Sequence, residues 1–211
     1  MSAAVTMNFE SQSQLSPAEA IELLQAGNAR FVEKSPLARD YSAQISDTAS
    51  GQFPLAAIVS CIDSRIPTEI VFDQGIGDVF NARIAGNFVN DDILGSLEFA
   101  CKVAGAKAIV IMGHTACGAV KGACDKAELG NLTQMLAKII PAVEAVETPE
   151  GTDRSSANAE FVDTVAEANV ELAIADLKAK SPVLNEMIQA GEISIAGAMY
   201  DVKSGKVSFL G

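Results

Sequence analysis

Two short segments carry residues that could do chemistry together: Cys61-Ile62-Asp63-Ser64-Arg65 and Gly113-His114-Thr115-Ala116-Cys117-Gly118. Thiolate and imidazole are donors that zinc prefers, and a catalytic zinc takes three protein ligands and keeps a fourth position for water. Cys61, His114 and Cys117 make such a set, and the H-x-x-C spacing lets two donors come from one tight turn. His114 is the only histidine among the 211 residues, so no second imidazole is available for any role. Asp63 and Arg65 can form a charge-assisted, bidentate pair within their loop. Arg65 would then hold Asp63 beside the metal, where the carboxylate accepts a hydrogen bond from activated water. Alternatively, Asp63 turns onto the metal as a fourth ligand and closes the site. On spacing alone, blander readings stand beside these. A buried cysteine is commonly a small hydrophobe, and an Asp–Arg loop pair is commonly structural. Cys101, on the apolar face of a helix, reads as core, and Cys124 has no evident partner.

The elements that must position these residues are legible as alternating strands and helices. Leu55 to Ser60 and Ala108 to Met112 are short, continuously apolar runs of the kind buried on both faces of a parallel sheet. Each runs directly into one of the two segments. Asp78 to Ile84 and Ile193 to Tyr200 read as further strands, and Ser204-Gly205 turns the chain into a closing hairpin at Val207–Phe209. Ser16-Pro17-Ala18-Glu19 is a capping box with proline at the first helical position, and Ile21, Leu24 and Phe31 continue it as an amphipathic helix to about Glu33. Further helices are expected at Pro67–Phe72, from the Asn90 cap to Gly105, at Asn131–Glu147, at Ala157–Ala179 and from Pro182 to Gly191. The pattern predicts an α/β fold, a mostly parallel central sheet flanked by helices, with an N-terminal helical arm and a C-terminal hairpin. Residues 1–15 read as a flexible lead-in and 16–211 as one domain. Its arm, residues 16–50, is polar and irregular after the first helix and is a candidate to pack on a partner subunit. In such sheets ligands bind at the carboxyl ends of strands, where both segments lie.

Composition narrows the classes. The chain carries 15 Lys and Arg against 27 Asp and Glu, a formal charge of −12. Such a surface repels nucleic acid and anionic membrane. No apolar run approaches the ~20 residues of a membrane span, and the first residues lack the basic and apolar regions of a secretory signal. Four cysteines are too few for a disulfide scaffold, so a reducing cytoplasm is the expected location. A chain this long buries a sizeable core without metal staples, which favours function over structure for any metal.

The paired segments resemble the signature of the β-class carbonic anhydrases. The resemblance runs from about Leu24 to Tyr200 and includes Gly27-Asn28-Ala29-Arg30-Phe31, Arg83-Ile84-Ala85-Gly86-Asn87 and Ala198-Met199-Tyr200-Asp201. It implies one Zn2+ per subunit on Cys61, His114 and Cys117, with Asp63 and Arg65 as the catalytic dyad. It also implies a substrate pocket drawn from Gln52, Phe80, Ala85, Phe99 and Gly118. Gln52, Phe80 and Phe99 would be supplied across a homodimer, or across the dimers of a dimer of dimers. Members commonly carry Tyr where this chain has Phe99 and Val where it has Ala85. Some members close the site with the Asp and bind bicarbonate at a separate pocket that uses a Trp just before the first ligand. Ile58 stands at that place here. The implied reaction is reversible hydration of carbon dioxide to bicarbonate and a proton by zinc-activated water. Relatives that hydrolyse carbonyl sulfide or carbon disulfide keep the same metal set, and a non-catalytic zinc module is a third reading.

Overall fold

A computed structural model describes residues 5–210. Five strands form one sheet: β1 (Ala56–Ser60), β2 (Val79–Arg83), β3 (Ala108–His114), β4 (Ser194–Tyr200) and β5 (Val207–Phe209). Their order is β2-β1-β3-β4-β5. The first four are parallel and β5 closes the edge antiparallel to β4. The α/β class and mostly parallel sheet expected from the sequence are the architecture found. Every residue of β1 and β3 is buried, as their unbroken apolar runs require of strands covered on both faces.

The order places the functional ends. From β1 the chain moves to β2 on one side, and from β3 it moves to β4 on the other. The switch of direction falls between β1 and β3, and a crevice opens outside the carboxyl ends of strands at such a point. Ser60 pairs with Met112 in register, so Cys61 leaves β1 level with Gly113, and His114 is one residue further on.

Ten helices flank the sheet among the described residues. α2 (Pro17–Val32) starts with the expected capping box at Ser16 and Glu19, and α5 (Asp91–Glu98) is capped by the Asn90 side chain. α4 (Thr68–Val71), α9 (Ala159–Lys180) and α10 (Pro182–Gln189) fall close to their predicted spans. α5 continues as a π-helical turn at Phe99–Val103. The expected helix over 131–147 is two, α7 (Gly130–Leu136) and α8 (Ile140–Ala145), divided just before Pro141, whose ring cannot sit inside a continuous helix. α6 (Gly118–Cys124) was not anticipated, because its glycines mask a helix seven residues long.

The N-terminal reading changes most. The chain before Ser16 is not a free lead-in throughout. α1 (Phe9–Gln14) is a capped helix, and its buried Gln12 donates to Pro54 O and Ala104 O. The first four residues of that span lie outside the described residues. The stretch after α2 is not wholly irregular either, since α3 (Tyr41–Thr48) is capped by Asp40. Nor does α2 wait for a partner subunit. Ala20 and Leu24 are fully buried in their own chain, and the Asn28 amide bridges Val71 O, Gly205 O and Val207 N–H. A side chain at Gly27 would collide with Phe72 O, 1.8 Å from an ideal Cβ, so only glycine allows this approach. No described helix is long and apolar enough to cross a membrane.

Candidate metal centre

β1 and β3 deliver the two motifs to one place. Cys61, His114 and Cys117 are all buried, and their donor atoms lie within 4.8 Å of one another. The two sulfurs are 4.0 Å apart. As thiols they titrate as a pair. The hydrogen bond between them pushes Cys61 down, and that bond together with burial pushes Cys117 up. The histidine is set for ligation. Its Nδ1 lies 2.9 Å from Thr115 O, so Nδ1 donates the proton and the lone pair rests on Nε2. That Nε2 is inaccessible to solvent and has no hydrogen-bond partner among the described residues. A buried acceptor left unpaired is costly. Beside two buried sulfurs, it fits a soft divalent cation such as zinc.

Asp63 stands next to this cluster but outside it. Arg65 grips both its oxygens, Nε to Oδ1 at 2.9 Å and Nη2 to Oδ2 at 2.7 Å, and the Arg65 backbone N–H adds a third bond at 2.9 Å. Arg65 holds the Asp63 carboxyl far below the usual carboxylate range, against the opposing effect of burial. Asp63 Oδ2 faces His114 Nε2 at 4.0 Å. The carboxylate is thus an ionised acceptor at the edge of the metal pocket, turned toward its guanidinium.

The other site candidates divide. Ala85 is half-buried in the loop after β2, and Gly118 is exposed at the start of α6, directly after Cys117. Gln52, Phe80 and Phe99 lie elsewhere. Phe80 pairs with Ala57 in register, four residues before Cys61, or about 13 Å of strand. Its ring meets Phe99 edge to face, centroids 6.2 Å apart. Gln52 is exposed before β1 begins, and Phe99 is 51% exposed. These three sit toward the amino ends of the strands, away from the metal cluster of the same chain.

Several residues around the cluster had no assigned role in the sequence. Gly86 N–H donates to Cys61 Sγ at 3.4 Å. Arg83 ties down the first segment through Cys61 O at 2.9 Å and Asp63 O at 2.6 Å. Asp163 accepts from Ala116 N–H, and Asn169 donates to Gly86 O. Arg83 and Gly86 stand in a quoted motif, a usable signal. Asp163 and Asn169 lie inside a long Ala-rich helix and gave none.

Fold and cluster together define an α/β protein with a buried Cys-His-Cys cluster at its topological switch point that could hold a metal ion. The family model described as carbonic anhydrase matches residues 56–207. Carbonic anhydrase 2 of Mycobacterium tuberculosis is 34% identical over 196 residues, covering 90% of this chain and 91% of that protein. The solved β-carbonic anhydrase CafA of Aspergillus fumigatus superposes with a TM-score of 0.70 at 27% identity, over 92% of this chain and 89% of its own. A carbon disulfide hydrolase of Acidithiobacillus thiooxidans is 34% identical over only 77 residues, 34% of this chain and 36% of that protein. The chain belongs to the β-class carbonic anhydrase family of enzymes.

Proposed function

We propose that this enzyme hydrates carbon dioxide reversibly to bicarbonate and a proton, at one zinc ion per subunit held by Cys61, His114 and Cys117. The observation that carries this reading is the buried Nε2 of His114, which has no partner among the described residues and lies beside two buried sulfurs and an Asp63 that Arg65 has fixed. Zinc, when bound, supplies a Lewis acid that makes water nucleophilic. Two thiolates balance its charge, so it acidifies water less than a three-histidine site would. Activity should therefore rise toward alkaline pH.

Asp63 accepts a hydrogen bond from the attacking oxygen and so aims its lone pair at the substrate carbon. Arg65 holds that carboxylate by three hydrogen bonds and would keep it off an ion held by Cys61, His114 and Cys117. The backbone N–H of Gly118 donates to an oxygen that gains charge, and Ala85 forms a small apolar wall. Gln52, Phe80 and Phe99 complete the pocket from a second copy of the chain, so the working enzyme is a homodimer or a dimer of dimers. The sole histidine is a ligand, so the proton leaves through water, buffer or a carboxylate. The acidic surface suits a cytoplasmic enzyme with no nucleic-acid or membrane partner.

The second reading, hydrolysis of carbon disulfide or carbonyl sulfide, is favoured by the partial likeness to a carbon disulfide hydrolase. A non-catalytic zinc module would need Asp63 as a fourth ligand, and the three bonds from Arg65 weigh against it. The test measures zinc content and hydration rate on one preparation, with the two sulfur gases assayed alongside. Asp63→Ala should keep zinc and slow hydration about 100-fold. Undiminished hydration in that variant would remove the dyad from the mechanism. Faster turnover of a sulfur gas would replace the substrate.

A further inference from the structure

α9 lies behind the metal cluster and meets both of its halves along one helical face. Gly113, just before His114, has no room for a side chain. An ideal Cβ there would sit 2.8 Å from Val170 Cγ2 and 3.4 Å from Ala166 O. One turn toward the N-terminus of α9, Asp163 Oδ1 accepts the Ala116 N–H at 2.8 Å. One turn the other way from Ala166, Asn169 Nδ2 donates to Gly86 O at 2.7 Å. Residues 163, 166, 169 and 170 share a face because residues three and four apart do so on any helix.

Both polar contacts fall on backbone that no strand ladder fixes. Ala116 lies between the ligands His114 and Cys117 with φ +55°, a conformation that L-residues with a Cβ avoid. Gly86 and Asn87, at φ +83° and +44°, form the loop after β2, and the Gly86 N–H is the one that donates to Cys61 Sγ. Asn169 is 1% exposed, and its Oδ1 has no partner among the described residues. A leucine would fill the same space without a stranded acceptor. Asparagine is explained by what its Nδ2 holds.

We propose that α9 positions the metal ligands. Asn169 anchors Gly86 through its carbonyl and so limits where the Gly86 N–H that donates to Cys61 can point, and Asp163 fixes the Ala116 turn that aims His114 and Cys117. Neither side chain touches substrate, and the inference rests on the zinc reading above. A donor on a ligand sulfur tempers its charge and sets its direction, and outer contacts of this kind tune metal affinity.

The test uses the full chain, loaded with zinc or with cobalt. Zinc affinity is read by competition with a chromophoric chelator, ligand geometry by the thiolate-to-cobalt charge-transfer band, and fold by the thermal midpoint of the metal-free proteins. Asn169→Ala and Asp163→Ala should each weaken zinc about tenfold and shift the cobalt band, while Asp163→Asn, which keeps an acceptor for Ala116, should stay within about threefold of the parent. Leu177→Ala, on the same helix but away from the cluster, should lower the midpoint and leave the metal readouts alone. Parental affinity and a superposable cobalt spectrum in both alanine variants would overturn the proposal. So would equal metal effects in Leu177→Ala. If Asn169→Ala does not fold, the half-exposed Asp163 pair decides by the same readings. A parent chain that takes up neither metal defeats the zinc reading itself, whereas a metal-binding parent with indifferent variants defeats only this inference.

Discussion

At the carboxyl end of the sheet, three buried donors from two strand ends meet within one chain, and an ion pair stands ready beside them. At the amino end, Gln52 and Phe99 face solvent and Phe80 is about 13 Å of strand from its own Cys61. The first region is complete as a chemical unit. The second holds three residues that lie far from that cluster in their own chain. On the function proposed above, the metal half of a site is encoded by adjacent parallel strands of one chain and the pocket half by the surface of a second copy.

The largest effect should follow damage to the complete end. Cys61→Ser, His114→Ala or Cys117→Ser should lose zinc and more than about 10³-fold in hydration rate together, because three ligands leave no redundancy. Metal analysis and rate on each purified variant check this. A zinc-replete, active His114→Ala enzyme would sink the ligand set.

The second prediction separates the two ends. His114→Ala destroys the metal half of a chain, and the double substitution Gln52→Ala, Phe80→Ala damages its pocket half. Each homodimer should be nearly inactive. In a mixed dimer, however, one of the two sites joins the intact metal half of one chain to the intact pocket half of the other. Dissociating and reassociating an equal mixture should restore about a quarter of parental activity, since half the dimers are mixed and each has one sound site. No recovery, with mixing verified by mass, would show that a site is not shared.

The same division explains what could be read from the sequence. β1 and β3 are unbroken apolar runs ending at chemically distinctive residues, so fold class and strand ends follow from local pattern, whereas spacing alone left a core reading of the candidate cysteine donors open. Asp163 and Asn169 act across 47 and 83 residues of chain on backbone groups, and no local pattern marks such a contact. α1, α3 and α6 are six to eight residues long. For α1 and α3 stability comes from caps and docking, such as Gln12 on Pro54 O and Gln44 on the Ile76 N–H, more than from a periodic apolar face. The docking of α2 on its own chain was hidden for a similar reason. A helix with an apolar stripe needs a surface, and the sequence does not say whose.

A third prediction compares the two acidic residues that pair with arginine at opposite ends. Burial opposes ionisation of Asp73, but Arg30, Arg39 and the Leu37 N–H outweigh it and hold its carboxyl below the usual range. Asp63 is shifted the same way by Arg65. A carboxyl whose pKa is lower in the folded chain adds stability above its unfolded value of ~3.9 and loses it as pH falls toward the folded value. Both therefore weaken the fold only in acid. The Asp73 side chain is 3% exposed, whereas Arg65 is 50% exposed, so solvent screens the Asp63 pair far more. Asp73→Asn should cost about 3 kcal/mol at neutral pH and flatten the acid limb of the stability curve. Asp63→Asn should change that curve much less. Denaturant melts between neutral pH and about pH 3 test this, and equal flattening by both variants would refute the contrast.

The smallest expected effect concerns how firmly the metal turn is held. Ala116 is left-handed at φ +55°, which costs a residue with a Cβ about 1–2 kcal/mol. Glycine would remove that strain but adds about 0.4–1 kcal/mol of unfolded-chain entropy to overcome. The two partly offset, so Ala116→Gly should stabilise by no more than about 1.5 kcal/mol, or about 3–6 °C in thermal midpoint for a chain of this size. The backbone N–H is unchanged, so the bond to Asp163 survives and zinc affinity should match the parent. If α9 and the two strands already fix the turn, freedom at one residue is immaterial. If affinity falls while the midpoint holds, the alanine methyl itself is restricting the turn, and the complete end of the sheet is held less firmly by its surroundings than the hydrogen bonds imply. Chelator competition and a melt on the same variant separate these outcomes.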